Sequence, residues 1–147
     1  MKNKIIFVCL GNICRSSLAE GMAKARSKKM VLEIQIDSAG LSTYHNGEAP
    51  CKISQNLAKE HGIDISQQVS QHISEFDLHS YDLVVAMDES NKVALEKIGI
   101  KNLRKMGDFG FDGKDVADLY YEPHKRDEVW EMVSEGVEKI LVEYYER

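Results

Sequence analysis

The sequence predicts an α/β fold built on a parallel sheet with helices on both faces. Two stretches, residues 4–9 and 82–87, are apolar after a charged first residue (Lys4, Asp82) and have the length and β-branched content of strands buried on both sides. Several other segments repeat apolar residues at three and four positions, as amphipathic helices do. Strand-type and helix-type segments alternate along the chain, and that order selects crossover connections and a parallel sheet.

Taken in order, residues 4–9 form the first strand. Residues 16–28 follow as a helix, with Leu18, Met22 and Ala25 at helical spacing. Residues 33–38 alternate in polarity and predict a second strand, stopped by Ala39-Gly40. Ile53, Leu57 and Ala58 mark a helix that Gly62 closes as the residue just past its end. After the strand at 82–87, Asp88-Glu89-Ser90-Asn91 caps a helix carrying Ala94, Leu95 and Ile98, closed by Gly99. A weaker strand is expected at 103–106. From Arg126 onward, Val129, Met132, Val133, Val137, Ile140, Leu141 and Tyr144 form one long amphipathic helix. Residues 107–125 stay irregular, and a loop of that length in a compact domain is usually functional.

The chain has 147 residues, 43% apolar and 29% charged, which suits one soluble globular domain spanning residues 1–147. No run approaches the length of a membrane span, and the brief basic start is unlike a signal peptide. The net charge of −5 argues against a general nucleic-acid binder. Three cysteines, Cys9, Cys14 and Cys51, match no zinc spacing. A reducing cytoplasm with free thiols is the expected setting, and Cys51 has no assigned role.

The chemistry concentrates in residues 9–16, Cys-Leu-Gly-Asn-Ile-Cys-Arg-Ser, at the junction of the first strand and the first helix. In an α/β fold ligands bind at that edge of the sheet. Gly11 lets the backbone approach an anion closely, and Asn12 tolerates left-handed geometry. Successive N–H groups and the helix start then form a nest for an oxyanion. The same field favours a thiolate at Cys9, and electropositive cysteines are the nucleophilic ones. Arg15 can grip two oxygens of the anion bidentately, and Ser16 can donate to the thiolate. The chemistry indicated is phosphoryl transfer to cysteine.

This loop resembles the signature of the low-molecular-weight protein tyrosine phosphatases. Further segments resemble the family's: Ser38-Ala39-Gly40, Tyr44-His45-x-Gly47, Gly62-Ile63-Asp64-Ile65-Ser66, Ala86-Met87-Asp88-x-x-Asn91 and Asp118-Leu119-Tyr120-Tyr121. The resemblance implies a three-layer domain with a four-stranded parallel sheet, and no metal or organic cofactor. It implies hydrolysis of phosphotyrosine and small aryl phosphates through a cysteinyl phosphate, with phosphate-like anions as inhibitors and a monomer as the working form.

By the same resemblance Asp118 is the general acid, which protonates the leaving phenolate and then activates water; such catalysis contributes typically about 10²–10⁴-fold. Leu10, Tyr44, Tyr120 and Tyr121 are expected to wall a slot for an aromatic ring, with Gly11, Ile13 and Cys14 completing the phosphate loop. Asn12, Ser16 and Ser38 would hold that loop open. His72 falls where the family carries a structural histidine. Leu119 replaces the family's usual proline, which predicts a looser segment around Asp118. Ser17 replaces a proline at the helix start, and Tyr44 stands where tryptophan is frequent.

Arsenate reductase shares the fold and loop but needs two further thiols, expected within 74–98, where none occurs. A non-catalytic phosphotyrosine-binding module would be expected to lose Cys9, Arg15 or Asp118, and all three are present. A reactive thiolate beside a second thiol in one loop predicts a protective Cys9–Cys14 disulfide after mild oxidation.

Overall fold

The computed structural model describes residues 3–145; Met1 and Lys2 of the basic start lie outside it. Four parallel strands, β1 (Lys4–Cys9), β2 (Gln35–Gly40), β3 (Leu83–Ala86) and β4 (Leu103–Lys105), assemble in the order β2-β1-β3-β4. The helices are α1 (Ser16–Lys29), α2 (Lys52–Glu60), α3 (Glu89–Lys97) and α4 (Arg126–Tyr144).

Alternation along β1 divides the core. Ile5, Phe7 and Cys9 face one layer, where they pack with residues of α1, α2 and α4. Ile6 and Val8 face the other, with Leu95 of α3 and with Leu78 and Tyr81 of the stretch before β3. Residues 5–8 of β1 are fully buried, as a central strand covered on both faces must be.

The second strand runs later than its polarity predicts. Phe7, Val8 and Cys9 pair with Ser38, Ala39 and Gly40, so the ladder continues through the Ala-Gly signal that was expected to stop it. Gly40 is required there by close approach: a Cβ would lie 3.0 Å from the Gly11 carbonyl carbon and 3.1 Å from Leu10 O. The end of β2 thus packs directly under the loop that follows β1.

Gly62 and Gly99 take positive φ, 79° and 87°, just past α2 and α3, as helix-closing glycines do. The chain leaves β1 for β2 on one side and returns to β3 on the other. The strand order therefore switches beside the carboxyl end of β1, which is where residues 9–16 lie.

Candidate active site

Residues 10–15 turn sharply between β1 and α1, with Asn12 at φ 58° in the left-handed region. The Asn12 N–H points back at Cys9, donating to its Sγ at 3.2 Å. Ser16 Oγ lies 3.1 Å from the same sulfur. The helix that begins here has no side-chain cap and no acidic residue in its first turn. Its positive end is left open for an anion.

Asn12 also sets the proton direction in the network beneath the loop. Its Nδ2 donates to Ser16 Oγ and to Ser38 Oγ, both at 2.8 Å, while its Oδ1 accepts from Gln71 N at 3.0 Å. Ser16 accepts from Asn12, so its own proton is free to donate to a Cys9 thiolate. Ser38 passes its proton to the buried Glu20 carboxylate. Ser70, missed in the sequence, donates to Gly11 O at 2.8 Å. His72 touches this network only indirectly: it bridges Gly40 and bonds Leu41 O at 3.1 Å, while its neighbour Gln71 reaches Asn12.

Arg15 is 3% exposed and held from above. Its Nη1 donates to Asp88 Oδ2 at 2.6 Å and to Val116 O at 3.2 Å, and its Nη2 reaches Asp118 Oδ2 at 3.4 Å. Burial opposes the guanidinium charge, but Cys9, Asp88 and Asp118 outweigh it and push the Arg15 pKa up. For Asp88, burial works to raise the carboxyl; the Arg15 and Asn91 hydrogen bonds prevail and hold it below the ordinary range. The sequence marks Asp88 as a helix cap and as part of a family-like segment, and it does cap α3 through Oδ1, which accepts from Asn91 N at 2.8 Å. Its second oxygen serves the site.

Asp118, Cys9 and Arg15 line one cavity of about 410 Å³. Leu10, Tyr44, Tyr120 and Tyr121 form its apolar rim, all at least half exposed. Gly11, Ile13 and Cys14 complete the lining. His45 belongs to the wall as well: its ring stacks edge-on to Tyr44 at 4.7 Å and lies 6.0 Å from Tyr120. The motif around Gly47 contained it, but nothing in its own spacing marked it as a wall residue.

The segment carrying Asp118 is restrained from several sides. Leu119 is 1% exposed within the core, so burial of its side chain anchors the segment where the family usually has proline. Asp118 Oδ1 accepts from Tyr120 N at 3.0 Å. Upstream, Asp115 pairs with buried Lys105 at 2.7 Å and accepts from Glu89 N at 2.9 Å.

The cysteines depart from expectation. Cys14 is joined to Cys51 in a disulfide, and Cys9 is the free thiol. The expectation that all three thiols are free is thus corrected: Cys14 has a second possible partner besides Cys9. The reason is a contact 37 residues apart in sequence: the Cys51 N–H donates to Ile13 O at 2.7 Å and Ser54 Oγ donates to Cys14 O at 2.7 Å. These bonds bring the start of α2 against the loop.

The chain resembles known proteins in sequence and in fold. The Bacillus subtilis (strain 168) low molecular weight protein-tyrosine-phosphatase YfkJ is 35% identical over 145 residues, covering 93% of this chain and 92% of that one. The crystal structure of B. subtilis YfkJ superposes with a TM-score of 0.89 at 31% identity, over 97% of this chain and 94% of that one. That of DARP, the Drosophila arginine phosphatase, gives 0.86 at 28% identity, over 99% and 98%. The family model described as low molecular weight phosphotyrosine protein phosphatase matches residues 4–147, and the chain belongs to that family.

Proposed function

We propose that this chain, acting as a single catalytic domain, hydrolyses protein phosphotyrosine and small aryl phosphates through a phosphocysteine at Cys9. The observation that carries this is the convergence of Cys9, Arg15 and Asp118 on one aromatic-rimmed cavity. In the first step Cys9 Sγ attacks phosphorus while Arg15 and the loop N–H groups take up charge on the equatorial oxygens. Arg15 Nε is buried without a hydrogen-bond partner, and a bound oxyanion would satisfy it. Asp118 gives its proton to the leaving phenolate. It then takes one from the water that splits the phosphocysteine, releasing phosphate and Cys9.

The rim of tyrosines favours an aryl ester, because aromatic rings pack well on one another. One chain supplies Cys9, Arg15 and Asp118 to the cavity, so a monomer suffices as the working unit. No helix among the described residues is long and apolar enough to cross a membrane. The setting we propose is the cytoplasm, whose thiol couples would reopen the Cys14–Cys51 bridge. The negative net charge weighs against nucleic acid as a partner.

The test is steady-state turnover of phosphotyrosine, phosphoserine and phosphoarginine peptides, with inorganic phosphate as competitor. Turnover confined to phosphotyrosine, with competitive inhibition by phosphate, is the expected result. Faster turnover of phosphoarginine would overturn the choice of substrate, and no turnover of any peptide would overturn the enzyme reading.

A further inference from the structure

The bridge between Cys14 and Cys51 leaves the nucleophile out, and that raises the question of how oxidising equivalents reach it. Cys14 lines the same cavity as Cys9, in the same short loop. Cys51 caps α2, and its Cα lies 5.3 Å from that of Cys14, within the normal disulfide range. Cys14 is 3% exposed, whereas Cys51 is partly exposed. Cys14 therefore shares the buried loop of Cys9 on one side and is bridged to the partly exposed Cys51 on the other.

We propose that the three cysteines form a relay in which Cys51 draws the disulfide off Cys9, giving this site a second activity: thiol-dependent reduction of hydroperoxides. The inference rests on Cys9 being the phosphatase nucleophile. A Cys9 thiolate attacks one oxygen of a hydroperoxide; the O–O bond breaks, the alcohol leaves after taking a proton, and Cys9 becomes a sulfenic acid. The Cys14 thiol attacks that sulfur, water departs, and a Cys9–Cys14 disulfide forms. Cys51, as thiolate, attacks the Cys14 sulfur, and Cys9 leaves with the bonding pair as a thiolate. A dithiol reductant then opens the Cys14–Cys51 bridge from its exposed end. The sum is one hydroperoxide and one dithiol converted to alcohol, water and a disulfide.

The direction of the exchange follows from the leaving group. A thiolate at Cys9 is met by the Asn12 N–H at 3.2 Å, Ser16 Oγ at 3.1 Å and the uncapped start of α1. Stabilised thiolates leave faster and are displaced from disulfides. The resulting bridged enzyme is the structure described above, with Cys9 free and its contacts in place. The relay thus clears the nucleophile without help from outside, and the oxidised enzyme remains a competent phosphatase.

The experiment oxidises reduced enzyme with stoichiometric hydrogen peroxide, traps thiols by alkylation, maps the bridges by mass, and assays p-nitrophenyl phosphate in parallel. The parent is expected to carry the Cys14–Cys51 bridge with Cys9 alkylated, and to keep activity within about twofold. Cys51→Ser, with parental activity when reduced, should instead accumulate Cys9–Cys14 and lose turnover until a dithiol is added. Cys9→Ser should form the Cys14–Cys51 bridge about tenfold more slowly than the parent, because the reactive thiolate is gone. A Cys9–Cys14 bridge accumulating in the parent overturns the relay. So does a Cys51→Ser enzyme that survives peroxide as well as the parent, or a bridge that forms equally fast in Cys9→Ser. Mapping does not depend on turnover, so reduced parent inactive on aryl phosphate would defeat the phosphatase reading separately.

Discussion

Arg15 and Asp88 lie 73 residues apart in sequence and meet at 2.6 Å across the switch in strand order. One Asp88 oxygen fixes the guanidinium while the other starts α3, so the orientation of Arg15, the proposed phosphate clamp, is tied to a helix start.

Asp88→Asn should therefore lower kcat/KM by about 10²-fold, the scale of a modest misplacement of a catalytic group. The circular dichroism of the variant should stay native. The pH dependence has a definite sign. The folded-state carboxyl is depressed, so its stabilisation is present above the unfolded value near about 4 and is lost as pH falls through the folded one. Thermal unfolding of parent and variant should differ most above pH ~4 and converge in stronger acid. A difference that grows on acidification would contradict this.

Cys9→Ser should abolish turnover while leaving a folded protein that still binds phosphate or vanadate. The thiolate supplies the nucleophile, whereas Arg15 and the loop N–H groups supply most of the anion affinity. Titration calorimetry with vanadate measures the second half. Residual turnover within about tenfold of the parent would remove Cys9 from its role.

Asp118→Asn should slow phenyl phosphate far more than p-nitrophenyl phosphate, because a general acid matters most where the departing oxygen is most basic. The structure narrows the alternatives: Asp115 is committed to Lys105 and Glu89 N, and Asp118 is the aspartate lining the cavity. Equal losses on both substrates would mean that another group protonates the phenolate.

Leu119→Ala separates anchoring from chemistry. The side chain is almost fully buried, so its truncation should cost about 2–5 kcal/mol of stability, read by urea unfolding. Below the unfolding transition, turnover of phenyl phosphate should fall more than that of p-nitrophenyl phosphate, reproducing Asp118→Asn in weaker form. A stability loss with no leaving-group effect would show that Leu119 does not position the acid.

The sequence by itself determined the catalytic loop, because everything that loop needs is local. A buried strand, the left-handed Asn12, the nucleophile, the clamp and a helix start are all encoded within residues 4–16. Helix ends at Gly62 and Gly99 were legible for the same reason, as was the amphipathic stripe of α4. Asp118 is marked by the resemblance of Asp118-Leu119-Tyr120-Tyr121 to the family's segment, not by any property of an isolated aspartate.

Tertiary structure alone decided which distant residues complete the site. Val116 and Ser70 carry no local mark, and the segments that contain Asp88 and His45 do not show what those side chains touch, because a hydrogen-bond acceptor or a ring edge has meaning only once strand order brings it to the loop. β2 ran past its predicted stop because pairing with β1 outweighed the local preference of Ala39-Gly40. Cys14 and Cys51 joined for a similar reason. Sequence proximity favours Cys9–Cys14, but backbone bonds between the loop and α2 place Cys51 against Cys14, and a disulfide forms where Cα geometry allows it.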